Sequence, residues 1–548
     1  MNVKRMTGIL VALMAAVPFA NGAEQLKPKA LVIMLDGMRA DAVENAWAPN
    51  LRMLCSGTWQ PGYKGAYSLT ANTILDAPSV SAPNHTSIAT GVTATKTNVR
   101  NNGEFKKGNF AQWPSWLSRL VAARPEMKAL YMFSWKPDEE LNPNPKVTFV
   151  HGTDFANDEA IPKRLAAPDG PDATLFFIDL PDHGGHSFGY YPYTVGYLNT
   201  VYDSDKIIGG CLKAIAARPT FAQEDWLIIV TADHGGYLRG HGIMHGQATS
   251  VPLIIAGRNV SQGRIPGTPH NYDAAPTALA HFGLDVAQMD LDGQVRGKET
   301  VTDTPRPLKE GLAIYLPFND KTLADARSQS LKAEAFGKAA AGTGGGFIGN
   351  CLRIPADTNT ASGVILKGSE KLAFENGSEF AITMWVRMPA PQQGDPPLIA
   401  NKDWKDGGKP GIALVASKRI DGAKVPGVAF NTALSDNRKR LDLGPYDIEF
   451  GKWAFYAVSR SKDGPLRFYQ GDAAGNFYWI SEDAKPIVFA TGMPFHIGQD
   501  GTGKYPYTFA GDIDDFALWT RPLLTGEIRA IYDAGRKGLE LKEVLNLQ

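Results

Sequence analysis

Four short segments of the 548-residue chain carry residues that can bind metal ions or attack an ester. In chain order they are LVIMLDGMRAD with Asp36, SAPNHTSIATG with Ser81, LPDHGGHSFG with Asp182 and His186, and TADHGGYLRGHG with Asp233, His234 and His241. Carboxylate oxygens and imidazole nitrogens are ligands that zinc binds, usually four at a time. Six such ligands suffice for two ions, and two divalent ions roughly 3.5–4 Å apart hold the attacking and leaving oxygens of a phosphoryl transfer.

Ser81 is the candidate nucleophile of this set. A free serine hydroxyl is a weak nucleophile and must be activated, which a metal ion does by stabilising the alkoxide. Pro83 follows two residues later and is typical of a first helical turn. The N-terminus of that helix would add partial positive charge beside a phosphate. Singly, each residue has a structural explanation: Asp36 could cap a turn, and His85 could be a buried histidine with satisfied hydrogen bonds.

The elements that position these residues are predicted to be buried strands. Short apolar runs recur at 30–35, 174–180, 226–231 and 251–256. Continuous Val, Ile, Leu and Phe are typical of strands that are covered on both faces of a parallel sheet. Three of the runs lead directly into acidic residues, and in open α/β sheets ligands collect at the carboxyl ends of strands. The first half is therefore predicted to be α/β, with its acids along one edge.

The second half has a different pattern of apolar residues, and a linker between the halves is predicted around 302–310. The stretch TDTPRPLKE is polar and contains two prolines. Beyond it, short alternating runs at 380–388, 453–459, 466–470 and 514–519 are separated by turn residues, which is typical of an antiparallel sandwich. A short helix is predicted over 525–533, with Thr525 at its start and Gly535 at its end.

Composition and the first residues of the chain indicate its binding partners, its disulfide content and its location in the cell. Lys plus Arg and Asp plus Glu both number 56, so bulk electrostatics give no reason to expect duplex nucleic acid as a partner. The three cysteines are too few and too scattered for a disulfide framework. Lys4 and Arg5, an apolar run over 8–19 and small residues up to Ala23 predict a secretory signal over 1–23, with a retained N-terminal anchor as the alternative. We expect a periplasmic or secreted protein without a transmembrane segment after cleavage.

Taken together, the four segments resemble the alkaline phosphatase superfamily, and most closely its type I phosphodiesterase and nucleotide pyrophosphatase branch, over 29–283. The resemblance implies two Zn²⁺ sites, with Mn²⁺ as an alternative. One would be formed by Asp36, Ser81, Asp233 and His234, and the other by Asp182, His186 and a histidine of a later His-Gly pair. His241 and His245 both precede glycine; His241 is favoured because its distance to the run at 251 resembles related sequences.

The same resemblance implies that Asn102, in NVRNNGEF, holds a phosphate oxygen and that Ser81 forms a phosphoseryl intermediate. Asn102 points to phosphodiesters or phosphonates rather than to doubly charged monoesters. Two departures from the family are visible: serine stands at position 81, where the nucleophile is usually threonine, and Ala82 stands where an aromatic residue commonly stacks on a nucleotide base. His85 stands where a sulfatase needs arginine, which disfavours sulfatase. The predicted activity is phosphodiester hydrolysis, with phosphomonoesterase, phosphonate hydrolase or sulfatase activity as alternatives.

From residue 311 onward the chain resembles a laminin-G-like, concanavalin-type jelly roll, on the stretches AIYLPFND, FAITMWVRM and FAGDIDDFALWTRPLLTGEIRAIYDAG. The resemblance implies a glycan or cell-surface ligand, the alternative being an appendage that only packs on the first domain. Asp512, Asp514 and Asp515 could hold Ca²⁺ or be turn carboxylates. The predicted division is a signal over 1–23, a metallohydrolase domain over 24–303, a linker over 304–310 and a β-sandwich domain over 311–548.

A hypothesis of another class is a carbohydrate- or surface-binding protein whose hydrolase domain is inactive. It is disfavoured because the candidate nucleophile and all six favoured ligands are present in the sequence. A metal count separates the two hypotheses, since an enzyme should carry about two zinc ions per chain and an inactive scaffold none.

Overall fold

The structure is a computed structural model that describes residues 26–546, except 142–143, 243–245, 325–330, 357–359, 418–426, 436–438, 463–464 and 483–486. The predicted signal over 1–23 and the alternative ligand His245 lie outside the described residues. Within the part of the chain that is described, no helix is both long and apolar enough to cross a membrane.

The first half forms one eight-stranded sheet with strand order β4-β3-β5-β1-β6-β7-β2-β8. Its strands are β1 (Lys27–Leu35), β2 (Lys64–Asn72), β3 (Ala129–Phe133), β4 (Val147–His151), β5 (Ala173–Ile178), β6 (Glu224–Ala232), β7 (Ser250–Gly257) and β8 (Gly263–Arg264). Its helices are α1 (Ala40–Asn45), α2 (Pro49–Ser56), α3 (Ser81–Thr90), α4 (Ala94–Thr97), α5 (Trp116–Ala123), α6 (Asp154–Ala166), α7 (Leu180–Phe188), α8 (Val195–Ala216), α9 (Gly246–Thr249) and α10 (Ala274–His281).

Short 3₁₀ turns complete both halves of the chain. They span Phe105–Lys107, Lys136–Glu140, Phe221–Gln223, Asn271–Asp273, Val286–Gln288 and Ser369–Lys371.

The central strands are buried on both faces, as their apolar composition predicts. Residues 30–35 of β1 are fully buried, which requires cover on each side of the sheet. One group of helices, α3, α5 and α10, packs together, and a second group forms around α8 from α1, α2, α6 and α7. The predicted α/β class is confirmed.

The three strands that precede the acids are neighbours and run parallel, with β1 between β5 and β6. Leu35 is level with Ile178 on one side and with Ala232 on the other. The next residue of each strand therefore emerges at the same edge of the sheet, which brings together chain segments far apart in sequence.

Two details of the sequence prediction were wrong. The run at 174–180 ends as a strand at Ile178, because Asp179 is the N-cap residue of α7 and the chain turns helical from Leu180. The run at 251–256 lies in β7, which pairs antiparallel with β6 rather than parallel. A continuous apolar run indicates burial on both faces but does not fix strand direction.

The second half contains two antiparallel sheets. One has the order β10-β13-β23-β15-β16-β17-β18, with β22 on β17, and the other has β11-β12-β24-β14-β19-β20-β21, with β9 on β24. The strands are β9 (Leu312–Leu316), β10 (Lys332–Phe336), β11 (Ala340–Gly344), β12 (Asn350–Ile354), β13 (Gly363–Lys367), β14 (Phe380–Arg387), β15 (Pro397–Ala400), β16 (Ile412–Ser417), β17 (Gly427–Leu434), β18 (Arg440–Asp447), β19 (Trp453–Arg460), β20 (Leu466–Asp472), β21 (Phe477–Glu482), β22 (Ile487–Val488), β23 (Phe495–Ile497) and β24 (Gly511–Trp519).

A single apolar core lies between these two sheets, with side chains from both, and confirms the jelly-roll class. A second core lies on the outer face of the sheet that contains β14, under α11 (Thr525–Arg536) and α12 (Leu541–Asn546). Trp385 and Trp519 are buried there, and Trp453 is half-buried at its edge. Helix α11 begins at Thr525 as predicted and continues one residue past Gly535.

Candidate functional site

The predicted ligands converge at the carboxyl edge of the first sheet. Three overlapping groups have ligand atoms within 4.8 Å of one another: Asp182, His186 and His241; Asp36, Asp182 and His234; and Asp36, His85 and Asp233. All six residues favoured from the sequence are in this cluster, together with His85. The acids and His85 and His234 are buried, whereas His186 is exposed, so the cluster opens to solvent on the His186 side.

Asp36 sits at the centre of the cluster in an unfavourable electrostatic environment. Burial, followed by the charges of Asp233 and Asp182, raises the pKa of Asp36 well above its ordinary value. Among the described residues none donates a hydrogen bond to Asp36 Oδ1, although that atom is buried. Unpaired buried carboxylate oxygens are costly. A divalent cation would satisfy this atom, so the donor set fits the two-metal site that the resemblance implies.

The histidines are held in the orientation that metal binding requires. Nδ1–H of His186 donates to the Arg239 carbonyl at 2.9 Å, that of His234 to the Gly235 carbonyl at 2.8 Å, and that of His241 to the Ser79 carbonyl at 3.2 Å. Each ring therefore presents Nε2 to the carboxylates. Metal-binding histidines commonly donate their other N–H in this way, which fixes ring orientation and tautomer.

The distances between Nε2 and the carboxylates are short. His186 Nε2 lies 3.3 Å from Asp182 Oδ2, and His234 Nε2 lies 3.3 Å from both Asp36 Oδ1 and Asp233 Oδ2. His241 Nε2 lies 3.8 Å from Asp182 Oδ1. Burial, and then the neighbouring His234, lower the pKa of His241 to about 4. His241 is thus neutral near pH 7, the form in which imidazole binds a metal.

Gly37 allows the loop after β1 to touch the first turn of α7, which carries Asp182. Its φ is +64°, and a Cβ there would lie 2.7 Å from Asp182 Cα. Its N–H donates to Asp233 Oδ1 at 3.1 Å. The glycine after Asp36 is thus required by close approach as well as by backbone conformation.

Tyr190 fixes the position of Asp182 in α7. It is fully buried, and its hydroxyl donates to Asp182 Oδ1. Its ring occupies the space that a Cβ would need at Gly185 and at Gly236. The two glycine pairs of the DHGG segments therefore make room for one aromatic ring wedged between α7 and the loop that follows β6.

Ser81 is the first residue of α3, is 6% exposed, and has Oγ 3.5 Å from His234 Nε2. Its location beside the cluster agrees with the helix start expected around Pro83. Asn102 is brought to the same helix end, where its Oδ1 accepts a hydrogen bond from the Ala82 N–H at 2.9 Å. Asn102 is exposed, so the amide lies at the open side of the site.

His85 is a seventh member of the cluster, to which the sequence pattern assigned no function. The structure places it behind the cluster, where Nδ1–H donates to Asp138 Oδ1 at 2.9 Å and Nε2–H donates to Asp233 Oδ2 at 3.2 Å. Tyr131 donates to the other Asp138 oxygen at 2.6 Å. Burial alone would lower the pKa of His85, but Asp138 and then Asp233 raise it well above its ordinary value. Its place four residues after Ser81, on the same helix, was the available signal.

The three aspartates proposed for calcium do not converge. Asp512 accepts hydrogen bonds from Arg353 Nε at 2.7 Å and Arg387 Nη2 at 2.7 Å. Asp514 accepts from the Ile348 N–H at 2.8 Å, and Asp515 accepts from the Tyr315 hydroxyl. These partners already satisfy the carboxylates, which lie on β24 rather than in a turn, so the contacts favour a structural role over Ca²⁺ binding.

Comparison with known proteins agrees with both resemblances found in the sequence. Residues 30–237 match the family described as type I phosphodiesterase / nucleotide pyrophosphatase. Residues 358–529 match the concanavalin A-like lectin/glucanases superfamily. Both resemblances are thereby confirmed over the residues that the two families match.

Individual relatives are distant. An uncharacterized pyrophosphatase/phosphodiesterase of Schizosaccharomyces pombe is 25% identical over 240 residues, which are 40% of this chain and 46% of the relative. The chain thus spans about half the length of that curated relative. Murine ectonucleotide pyrophosphatase/phosphodiesterase 5, an inactive form in complex with AMP, matches 47% of this chain and 96% of its own at 14% identity and a TM-score of 0.38. A protein of Bacteroides thetaiotaomicron described as a sulfatase matches 62% and 81% at 14% identity and a TM-score of 0.41.

Proposed function

We propose that this chain, whose first half matches the type I phosphodiesterase / nucleotide pyrophosphatase family, is an exported hydrolase of phosphodiesters that works with two zinc ions and Ser81. One observation carries the proposal. Three histidines donate Nδ1–H to backbone carbonyls and present Nε2 to buried aspartates, beside a serine at a helix N-terminus. Divalent cations bound there would balance the charge of the aspartates and would lie next to the Ser81 hydroxyl, which supports the proposal.

The cluster divides into two ligand sets around the shared acids. Asp36, Asp233 and His234, with Ser81, would hold one ion, and Asp182, His186 and His241 would hold the other. When bound, the ions supply positive charge that lowers the pKa of hydroxyl groups and stabilises negative charge developing on phosphoryl oxygens. Mn²⁺ is the alternative ion, because it also accepts nitrogen and carboxylate ligands.

Ser81 Oγ attacks phosphorus, forming the Oγ–P bond as the bond from phosphorus to the first alcohol breaks, and that alcohol leaves with a proton. The N-terminus of α3 and the amide NH₂ of Asn102 hold the phosphoryl oxygens during this step. Water then cleaves the phosphoserine, which restores the Ser81 hydroxyl and releases the remaining phosphate monoester. Asn102 is neutral, which suits a singly charged diester better than a doubly charged monoester.

Hydrolysis of bis-p-nitrophenyl phosphate and of p-nitrophenyl phosphate, with zinc and then with a chelator, tests this function. We expect the diester to be cleaved faster and the chelator to stop the reaction. Faster monoester cleavage would make the protein a phosphatase and would remove the role given to Asn102. If neither ester is cleaved, sulfate esters become the next substrates to assay, and the hypothesis of an inactive hydrolase domain gains support.

Export is proposed from the segment over 1–23 alone. Fractionation of the producing cell, with N-terminal sequencing of the mature protein, tests it. We expect a periplasmic or secreted chain that begins near residue 24. A chain that retains Met1 in the membrane fraction would support the anchor alternative.

A further inference from the structure

We propose that the C-terminal sandwich is a structural part of the metal centre, because it contacts all three segments of the first half that carry the candidate ligands. This inference rests on the proposed metal sites for its functional meaning, but its contacts can be tested without substrate. A module attached only to bind a surface ligand could contact the first domain anywhere. Here each contact described below lies within nine residues of a candidate ligand along the chain.

The loop after Asp36 is held by β21. Asp41, five residues after Asp36, is buried and accepts a hydrogen bond from the Ser481 N–H at 3.3 Å. The same carboxylate pairs with Arg39 through bonds of 2.9 and 2.6 Å. Arg39 in turn donates to the Gly236 carbonyl at 3.2 Å. Strand β21 is therefore linked, through the buried charged residues Asp41 and Arg39, to the segment after Asp36 and to the loop after His234.

The end of α1 makes a second connection to the sandwich. Glu44 Oε2 accepts hydrogen bonds from Trp479 Nε1 at 2.8 Å and from Arg467 Nη2 at 3.3 Å. Asn45 Nδ2 donates to the Trp479 carbonyl at 3.3 Å. Trp479 is 8% exposed, so this contact excludes most solvent and strengthens the charged hydrogen bonds.

The loop between His234 and His241 packs on the other sheet of the sandwich. Tyr237 and Leu238 are the only members from the first half in an apolar cluster of described residues whose other members are Ala400, Trp404, Ala413, Val415, Ala429 and Tyr505. Leu238 has φ +55°, a strained conformation for a non-glycine residue that persists only where its surroundings impose it. The Leu238 carbonyl also accepts the Tyr190 N–H at 2.7 Å.

This strained loop is what positions the exposed half of the cluster. The residue after Leu238 supplies the carbonyl that His186 Nδ1–H uses, and His241 follows two residues later. Release of Leu238 would therefore change two candidate ligands at once. The segment after His186 makes its own contact, because the rings of Tyr193 and Tyr478 lie 5.8 Å apart.

Two substitutions in the full-length protein test the proposal. Trp404→Ala removes the largest side chain of the cluster that contains Tyr237 and Leu238, and Trp479→Phe removes the donor to Glu44 while keeping an aromatic ring. Residues that orient metal ligands typically change metal affinity by about 10–100-fold. We expect Trp404→Ala to weaken zinc binding, measured by competition with a chromophoric chelator, by about tenfold or more, and Trp479→Phe to weaken it less.

Trp453→Ala is the matched control, because Trp453 is a half-buried tryptophan of the same sandwich whose ring contacts Arg387 and Phe347 within its own half. Hydrogen exchange of the peptide over 236–242 is the readout that needs neither zinc nor substrate. It should accelerate in Trp404→Ala and stay unchanged in the control. If Trp404→Ala does not fold, Trp479→Phe with exchange of the peptide over 40–45 decides.

Unchanged zinc affinity and unchanged exchange in both variants would overturn the proposal. Zinc binding without hydrolysis in the wild-type protein would remove the proposed enzyme activity but leave this inference standing. If the wild-type protein binds no zinc, the metal assignment is lost, and accelerated exchange at 236–242 would limit the sandwich to holding the loops.

Discussion

Two sets of three buried aspartates, one in each half of the molecule, behave in opposite ways. Asp36, Asp182 and Asp233 are spread over almost 200 residues and converge in one cluster. Asp512, Asp514 and Asp515 lie within four residues and diverge to separate partners, namely arginines, backbone amides and a tyrosine. Closeness in sequence therefore did not bring the second set together as a candidate metal site. The first set converges because it follows parallel strands that end at the same edge of the sheet.

The physical difference lies in the backbone. The first set follows three neighbouring parallel strands that end level with one another. The second set lies on one irregular strand, where Asp515 has φ +49° and the register of β24 on β14 shifts between Thr383 and Trp385. Each carboxylate of the second set consequently meets a different neighbour and is satisfied there. An orphaned oxygen, as on Asp36, is what distinguishes a candidate metal site from a merely acidic segment.

The largest effect should come from removing the chemistry while leaving the first cluster intact. Ser81→Ala deletes the attacking oxygen but none of the carboxylates or imidazoles. We expect diester turnover to fall by about 10⁴-fold or more, while zinc per chain stays near the wild-type value. Stopped assays with metal analysis of the same sample measure both. Wild-type turnover in this variant would remove Ser81 from the mechanism.

A smaller effect should follow from forcing the loop that carries Asp36 away from Asp182 in α7. Gly37→Ala places a Cβ 2.7 Å from Asp182 Cα at φ +64°. A displacement of about 1 Å at reacting groups can cost about 100-fold in rate, so we expect at least that loss, together with reduced zinc content.

Gly267→Ala is the control for backbone strain, since Gly267 has φ +73° in the same half and a Cβ there would have no heavy atom within 4 Å. It should share the strain of Gly37→Ala but keep zinc and activity. Equal losses in both variants would mean that strain rather than contact with Asp182 is responsible.

The third prediction compares two tyrosine–aspartate pairs directly. Tyr190→Phe removes the donor to Asp182, and Tyr315→Phe removes the equivalent donor to Asp515. We expect zinc affinity to fall by about 10–100-fold in the first variant and to stay unchanged in the second. Chelator competition on both proteins measures this. A zinc effect from Tyr315→Phe would contradict the distinction between the two aspartate sets.

The smallest expected effect is on the pH dependence of thermal stability, and it comes from Asp514 and Asp515 of the sandwich. Burial raises the pKa of Asp514 to about 8 and that of Asp515 to about 7. A carboxyl group whose pKa is higher in the folded chain than in the unfolded chain stabilises the fold below the unfolded value of about 4, and the stabilisation is lost as pH rises through the folded value.

We therefore expect the sandwich to unfold at a lower temperature at pH 9 than at pH 5. Asp514→Asn keeps an acceptor for the Ile348 N–H but cannot ionise, so it should reduce this dependence, by roughly 5 °C over the range. Calorimetry of both proteins at several pH values checks it, with zinc content as the control. An identical pH dependence in both proteins would show that Asp514 does not titrate in this window.

The sequence was most informative where a single strand or helix decides the outcome. Apolar runs located β1, β5, β6 and β7, and alternating runs located the main strands of the sandwich. The acids after β1 and β6 were placed at one edge because strand ends of a parallel sheet share that edge. The antiparallel direction of β7 was missed, because hydrophobic periodicity carries no information on direction.

The family resemblance supplied the division of ligands between two ions, which residue spacing alone did not. It gave no role to His85 or Tyr190, because each is defined by contacts far away in sequence: His85 with Asp138 and Asp233, and the Tyr190 ring with Gly236. It also left open whether the second half only packs against the first.

By itself, the sequence determined which residues can do chemistry, that they follow buried strands, and that an α/β half precedes a β-sandwich. Those properties depend on residue type and local periodicity, which each segment carries alone. Only the tertiary structure decided that Asp36 has an oxygen without a donor, that the Asp512 segment is satisfied, and that the sandwich contacts the ligand loops. Such facts depend on which side chains from distant segments meet and which donors are already used, and no local pattern records that.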